Sequence, residues 1–177
     1  YQKRISTKMT ATIDKVKIMF EGSEVIAHKL TVASEIHIDI DTAWEKVKTY
    51  SLLEFISKGK VKFKRQATEG RFPELWKEKE TVKMRMLIFG LLPFGGLHII
   101  YFDKIDDESK TMQTSEHDNI VKVWKHNISM HRASNHTIHY TDEVIIYSGA
   151  LTGIISWWAK SFYKHRQKRW QLITDKK

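Results

Sequence analysis

The 177-residue chain contains no cysteine, which removes thiol nucleophiles, iron–sulfur clusters, cysteine-ligated zinc and any disulfide frame. That absence fits a reducing compartment, and a cytoplasmic location is expected on that ground. Two prolines and eight glycines without a period exclude collagen-like and low-complexity classes. Long hydrophobic runs are missing as well. The longest nearly uncharged stretch, 148–159, is about half of what a bilayer span needs. The other apolar stretch, 86–101, is broken by Gly90, Pro93, Gly95 and Gly96. There is no phosphate loop, no dinucleotide fingerprint, no Gly-x-Ser-x-Gly elbow and no His-Glu-x-x-His. No signal peptide is visible, and the chain opens on Tyr1 rather than Met, which leaves room for a missing start and a removed targeting segment.

What is present describes a folded domain. Hydrophobic residues make up 41% and charged residues 29%, too apolar a mixture for a disordered chain. Thirty Lys and Arg against twenty-one Asp and Glu leave a net charge of +9. Such a surface favours anionic partners: nucleic acid, acidic lipid headgroups or an acidic protein. Because the excess is spread along the chain, it also suits a merely solvated surface.

Periodicity organises the chain into an N-terminal extension, 1–27, and a single domain, 28–177. In the extension Lys3, Arg4 and Lys8 read as a basic lead-in, and 13–20 as an extra strand or part of a tag remnant, with a turn at Gly22-Ser23. Strict alternation from Leu30 to Ile38 predicts a half-buried strand with Leu30, Val32, Ser34, Ile36 and Ile38 on one side. Thr42 and Glu45 have capping-box spacing for a helix, and 51–56 reads as a second short helix ending near Gly59. Strands are expected over 61–68, 77–89, 97–105, 110–116, 121–132 and 136–147, joined by short turn-rich links. Such links imply an antiparallel meander. The segment 150–173 reads as a long helix.

Hairpin register decides which side chains face inward. With Ala133-Ser134-Asn135 as a three-residue loop and Asn135 left-handed, Trp124 faces Val144, His126 faces Asp142, Ile128 faces Tyr140, and Met130 faces Ile138. One face is then apolar and the other polar, whereas a two-residue loop mixes the faces. With Gly90–Gly96 as a loop, Val82, Met84, Met86 and Ile88 align with Asp103, Tyr101, Ile99 and Leu97. A curved sheet with a Met-, Trp- and Tyr-rich inner face needs a cover, and the long helix is the only element large enough.

This layout resembles the helix-grip fold of the SRPBCC superfamily, also called START-related, birch-pollen-allergen-like or polyketide cyclase/dehydrase-like. The residues that carry the resemblance are Ile38-Asp39 before Thr42-Ala43-Trp44, and Trp124-Lys125-His126 on the penultimate strand. Thr141-Asp142-Glu143-Val144 with Tyr147, Gly149-Ala150-Leu151, and Phe162-Tyr163-Lys164-His165-Arg166 complete it, over about 28–173. Tyr147-Ser148-Gly149 stands where the superfamily usually has a proline. The resemblance implies an α+β fold, a curved antiparallel sheet of six or seven strands around the C-terminal helix, with two short helices after the first strand. It also implies a cavity between sheet and helix for a hydrophobic molecule, such as a lipid, quinone, polyketide or aromatic compound. Some relatives are enzymes, and fold alone does not decide between the roles.

His126 and Asp142 are the sharpest chemical pair. A carboxylate facing an imidazole orients it or raises its pKa. The pair suits an anchor for a ligand's polar head, a general acid/base of a cyclase, dehydratase or hydrolase, or a self-satisfying buried pair. Met84, Met86, Ile88, Ile99, Tyr101, Trp124, Ile128, Met130, Tyr140, Trp158 and Phe162 are the expected apolar wall of a cavity, or ordinary core. Leu91, Leu92 and Phe94 make an apolar loop that caps the pocket, meets a partner or an anionic membrane, or folds back onto the core. Lys160, Lys164, Arg166, Lys168 and Arg169 among Trp157, Trp158, Tyr163 and Trp170 suggest a nucleic-acid surface. A solvated helix back is the stronger reading, since no nucleic-acid fingerprint accompanies them. His131, His136 and His139 are expected outward, without metal-ligand spacing, so neither metal nor cofactor is expected.

Overall fold

Alternating apolar and polar side chains carry most of the chain into strands. The computed structural model describes residues 9–174, so Lys3, Arg4 and Lys8 lie outside the described residues. Strands β1 (Thr10–Phe20) and β2 (Ser23–Ile36) lead into helices α1 (Ile40–Val47) and α2 (Tyr50–Ser57). Six more strands follow: β3 (Val61–Lys64), β4 (Thr81–Ile88), β5 (Leu92–Asp106), β6 (Thr111–His117), β7 (Val123–Ser134) and β8 (Thr137–Tyr147). Helix α3 (Thr152–Thr174) closes the fold. The strands form one antiparallel sheet in the order β1-β2-β8-β7-β6-β5-β4-β3. The sheet therefore has eight strands rather than six or seven, and the two short helices follow its second strand. The difference is the N-terminal segment, which forms edge strand β1 and the first part of β2.

Local signals were partly misplaced. The first helix is capped by Asp39, whose Oδ1 accepts from the backbone N–H groups of Asp41 and Thr42 at 3.0 and 3.1 Å, so no Thr42/Glu45 box forms. The expected strand over 61–68 ends at Lys64 and gives way to a 3-10 turn, Ala67–Glu69.

In the β7–β8 hairpin, Asn135-His136 make the turn and Asn135 does not adopt a left-handed backbone. His126 pairs with Val144, and Asp142 with Ile128. The register is thus two residues away from expectation. Side chains alternate with a period of two, so a slip of two preserves both faces. Trp124, His126, Ile128, Met130, Tyr140, Asp142 and Val144 all point inward and are buried.

The β4–β5 hairpin departs further. Its turn is Phe89-Gly90-Leu91, and Leu92 already pairs with Ile88. Gly95-Gly96 are a bulge inside β5, between the pairs Met86–Phe94 and Arg85–Leu97. Met84 consequently faces His98 rather than Tyr101. A slip of three reverses the faces. Ile99 and Tyr101 lie on the outer side of the sheet, while His98, Ile100 and Phe102 are buried inside.

Helix α3 packs on β2, with β1, β8 and α2 as further neighbours. Its buried face includes the small residues Ser156 and Ala159 together with Tyr163, Gln167 and Trp170. The core divides into two clusters. One lies under α1 and α2 around Trp44, Ile56, Phe102 and Trp170, and the other joins Leu30, Val32, Trp124, Phe162 and Tyr163.

The bulge requires glycine. Gly95 has φ +68°, and a Cβ there would collide with the Asp118 carboxylate, whereas Gly90, at φ +76°, faces open space. A left-handed backbone alone costs a residue with a side chain about 1–2 kcal/mol. Gly90→Ala is expected to lose about that much stability, and Gly95→Ala at least twice as much, since it must also displace a buried carboxylate. Urea unfolding of the two variants checks the difference.

Candidate functional site

The two core clusters do not meet completely. Between the sheet, α2 and α3 as far as Arg166 lies a cavity of about 470 Å³, within the size range of small-molecule sites. Val47, Leu52 and Ile56 form one wall, Ile100, Met112 and Ile128 the floor, and Ile155, Trp158 and Phe162 the roof. Leu151 and Ile154 also line it and are largely exposed, so the cavity reaches the surface at the start of α3.

Of the residues expected to form the wall, Met86, Ile88, Trp124 and His126 line the cavity, as do Ile128, Trp158 and Phe162. Phe94 lines it too, stacked on Trp158 at 6.4 Å between ring centroids. Met84, Met130 and Tyr140 are buried in the neighbouring core, and Asp142 lies behind His126. Ile99 and Tyr101 face away for the register reason above. Leu91 and Leu92 project outward from the β4–β5 turn rather than covering the cavity. The basic and aromatic residues of the helix divide: Trp157, Lys164 and Lys168 are exposed, whereas Tyr163, Arg166 and Trp170 are buried and Arg169 donates to the Phe55 carbonyl at 2.7 Å. His131, His136 and His139 are exposed. Among the described residues, no three His, Asp or Glu side chains are grouped to hold a metal ion.

Two polar centres interrupt this apolar lining. In the first, His126 Nε2 lies 2.7 Å from Asp142 Oδ1. Gln167 Nε2 donates to Asp142 Oδ2 at 3.0 Å and to the Val32 carbonyl at 2.8 Å, while Ser34 Oγ donates to Gln167 Oε1 at 2.7 Å. Burial alone would raise the Asp142 pKa, but the His126 hydrogen bond and the nearby Arg166 charge hold it below the usual carboxylate value. Asp142 is therefore an ionised acceptor, and the proton of the shared hydrogen bond sits on His126 Nε2. In a neutral ring the lone pair is then on Nδ1. This centre can accept a hydrogen bond from a ligand or take its proton.

The second centre was missed. His98 Nδ1 lies 3.0 Å from Asp118 Oδ2 and Nε2 lies 2.9 Å from Glu116 Oε2. Thr114 Oγ1 donates to Glu116 Oε1 at 2.7 Å, and the Ile120 and Val121 N–H groups donate to Asp118 Oδ1. Burial pulls the His98 pKa down, yet the two carboxylates outweigh it and push it up to about 9. Both ring nitrogens donate, so His98 is a buried cation rather than a general base. The signal was present as two acids, Glu116 and Asp118, just before β7, but only the bulge turns His98 toward them.

Arg166 is the second missed feature. It is 6% exposed, lines the cavity, and packs its guanidinium over the Tyr163 ring at 4.8 Å and the Phe162 ring at 5.7 Å. Trp124 Nε1 donates to Tyr163 OH at 3.3 Å, fixing the ring on which the cation rests.

No family model matches the sequence, and no curated protein matches it significantly. Solved structures do match in fold. A START superfamily protein from Mycobacterium smegmatis is 11% identical, with a TM-score of 0.57 over 83% of this chain and 97% of that one. Ginseng major latex-like protein 151 from Panax ginseng is 13% identical, TM-score 0.58, covering 84% and 97%. Norcoclaurine synthase from Thalictrum flavum, in complex with dopamine and hydroxybenzaldehyde, is 10% identical, TM-score 0.57, covering 98% and 91%. The chain thus has the helix-grip fold, and its resemblance to the START-related superfamily is one of structure. No helix among the described residues is long and apolar enough to cross a membrane.

The His98 centre gives the fold a defined pH dependence. Its histidine titrates near 6.5 when unfolded and about 9 when folded, so its stabilisation is complete below the first value and lost as pH rises through the second. Stability is expected to fall by about 3 kcal/mol between these limits. His98→Gln should be less stable at pH 6 and lack that slope. Denaturant midpoints across the range check this.

Proposed function

We propose that this protein binds and carries a hydrophobic small molecule in the cavity beneath α3. The observation that carries the reading is an apolar space open at one end and interrupted by a few convergent polar groups, the usual constitution of a ligand site. One protein of this fold, norcoclaurine synthase, is known in complex with two small aromatic molecules, which is in keeping with the reading. The His126–Asp142 pair serves as a polar anchor. A proton-transfer role for the same pair, in a cyclase, dehydratase or hydrolase, is the second reading, favoured by the position of His126 on the cavity wall. A chain without cysteine suits a reducing, cytoplasmic setting.

Exposed side chains at the mouth support delivery at a membrane. Leu91 is 80% and Trp157 70% exposed, and Phe89, Leu92 and Ile154 are exposed as well. The β4–β5 turn and α3 are joined at this end: Lys60 Nζ lies 5.8 Å from the Phe89 ring and 3.3 Å from Ser161 Oγ. Apolar tips among lysines suit an anionic bilayer surface. The protein should sediment with phosphatidylserine-containing vesicles, less so at high salt, and Leu91→Ser/Trp157→Ser should abolish that sedimentation.

The cavity itself is tested by filling it. The neutral dye N-phenylnaphthylamine should bind with a rise in fluorescence. Ile100→Trp or Ile128→Trp should weaken binding roughly tenfold or more while the far-ultraviolet circular dichroism stays unchanged. Native mass spectrometry after apolar extraction identifies what the protein retains. Failure to take up any apolar compound would sink the reading.

A further inference from the structure

The cavity holds one charged group whose hydrogen-bond donors the protein leaves unmatched. Arg166 offers five N–H donors on a planar fork. Among the described residues no hydrogen bond or ion pair reaches its guanidinium, and its buried Nε has no acceptor. Leaving a buried charge unpaired is costly. The neighbouring acids are already engaged. Asp142 accepts at both oxygens, from His126 and Tyr140 on one and Gln167 on the other. Glu116 accepts at both from Thr114 and His98. Asp142 and Glu116 contribute to keeping Arg166 ionised at a distance, but neither comes within 4.0 Å. The aromatic rings beneath the guanidinium fix its plane without satisfying its donors.

We propose that Arg166 recognises an acid group, and that the cavity takes a long hydrophobic carboxylic acid with its carboxylate inward. The inference rests on the binding reading above and names the ligand class. A carboxylate meets the guanidinium fork with two parallel hydrogen bonds, which neither water nor an alcohol reproduces with charge. The position along α3 sets the length. Ile154 is at the mouth, and Arg166 lies twelve residues further along the cavity-facing side of the same helix, about 18 Å deeper at the helical rise. Between them Trp158 and Phe162 stack their rings along the cavity. An acid head at Arg166 therefore leaves an extended apolar tail running to the opening.

The test compares palmitic acid with hexadecanol, each displacing N-phenylnaphthylamine from the full chain after removal of retained lipid. Palmitate should bind the wild type at least about tenfold more tightly than the alcohol. Arg166→Met should abolish the preference of acid over alcohol, and Arg166→Lys should keep part of it. The lysine variant also keeps the question answerable if the methionine variant fails to fold. Equal affinity of acid and alcohol for the wild type, or a preference that survives Arg166→Met, overturns the acid assignment and leaves the cavity as a neutral binding site. Uptake of none of the three compounds overturns the binding reading with it.

Discussion

The position of α3 depends on one buried carboxylate. Asp142 is fully buried on β8 and is reached by His126 from β7, Tyr140 from its own strand and Gln167 from α3. Gln167 passes the connection to β2 through the Val32 carbonyl and Ser34. Removing any member leaves buried polar atoms unsatisfied, at about 1–3 kcal/mol each. The network therefore fixes the helix against one side of the curved sheet. Small residues at Ser156 and Ala159 allow that close approach. On the other side of the helix, Trp158, Phe162 and Tyr163 touch the sheet through Phe94, Trp124 and His126, and space is left above Ile100, Met112 and Ile128. The cavity is a consequence of where the helix is held.

The second centre performs the same service for the far wall. The Gly95-Gly96 bulge bends β5 against the β6–β7 connection, where the Asn119 N–H donates to the Gly95 carbonyl at 3.1 Å. It also turns His98 inward between two acids. Three charged groups are thereby buried as one hydrogen-bonded unit, which limits the desolvation cost each would bear alone. Glu116 shows its side to the cavity while its oxygens stay engaged. Both centres thus place polarity in the wall without leaving an acid free to bind a ligand cation.

The alternation of β7 and β8 made their inner face legible even with the wrong turn, because a two-residue slip leaves parity intact. The same reasoning failed at β4 and β5. There Gly90, Gly95 and Gly96 looked like one loop, whereas the first makes the turn and the others a bulge. Glycine marks a backbone that needs freedom without saying which irregularity uses it. An odd slip then reversed the faces, putting Ile99 and Tyr101 inside on paper and hiding His98. In α3 the cavity-facing Trp158 and Phe162 were readable, but a helix gripped by a sheet is buried on more than one face. Gln167 and Trp170 lie on the face that charge patterning assigns to solvent. Arg166 read both as the end of the Phe162–Arg166 segment that carries the resemblance and as one of the helix's basic residues, so its burial was not legible.

The cavity also bears on why the wall is so large and so apolar. Voids in a protein core cost about 24 cal/mol per Å³ relative to filled space, so 470 Å³ kept dry would cost about 11 kcal/mol. That rivals the whole net stability of an ordinary domain. Replacing a few wall residues with larger ones would remove most of the penalty, and β-strands accept such rings readily. The wall instead carries Ile100, Met112, Thr114 and Ile128, medium-sized side chains around an open centre. Water cannot recover much of the cost over a surface with so few hydrogen-bonding groups. An apolar occupant recovers it by contact, and one with an acid at its inner end also satisfies the Arg166 guanidinium.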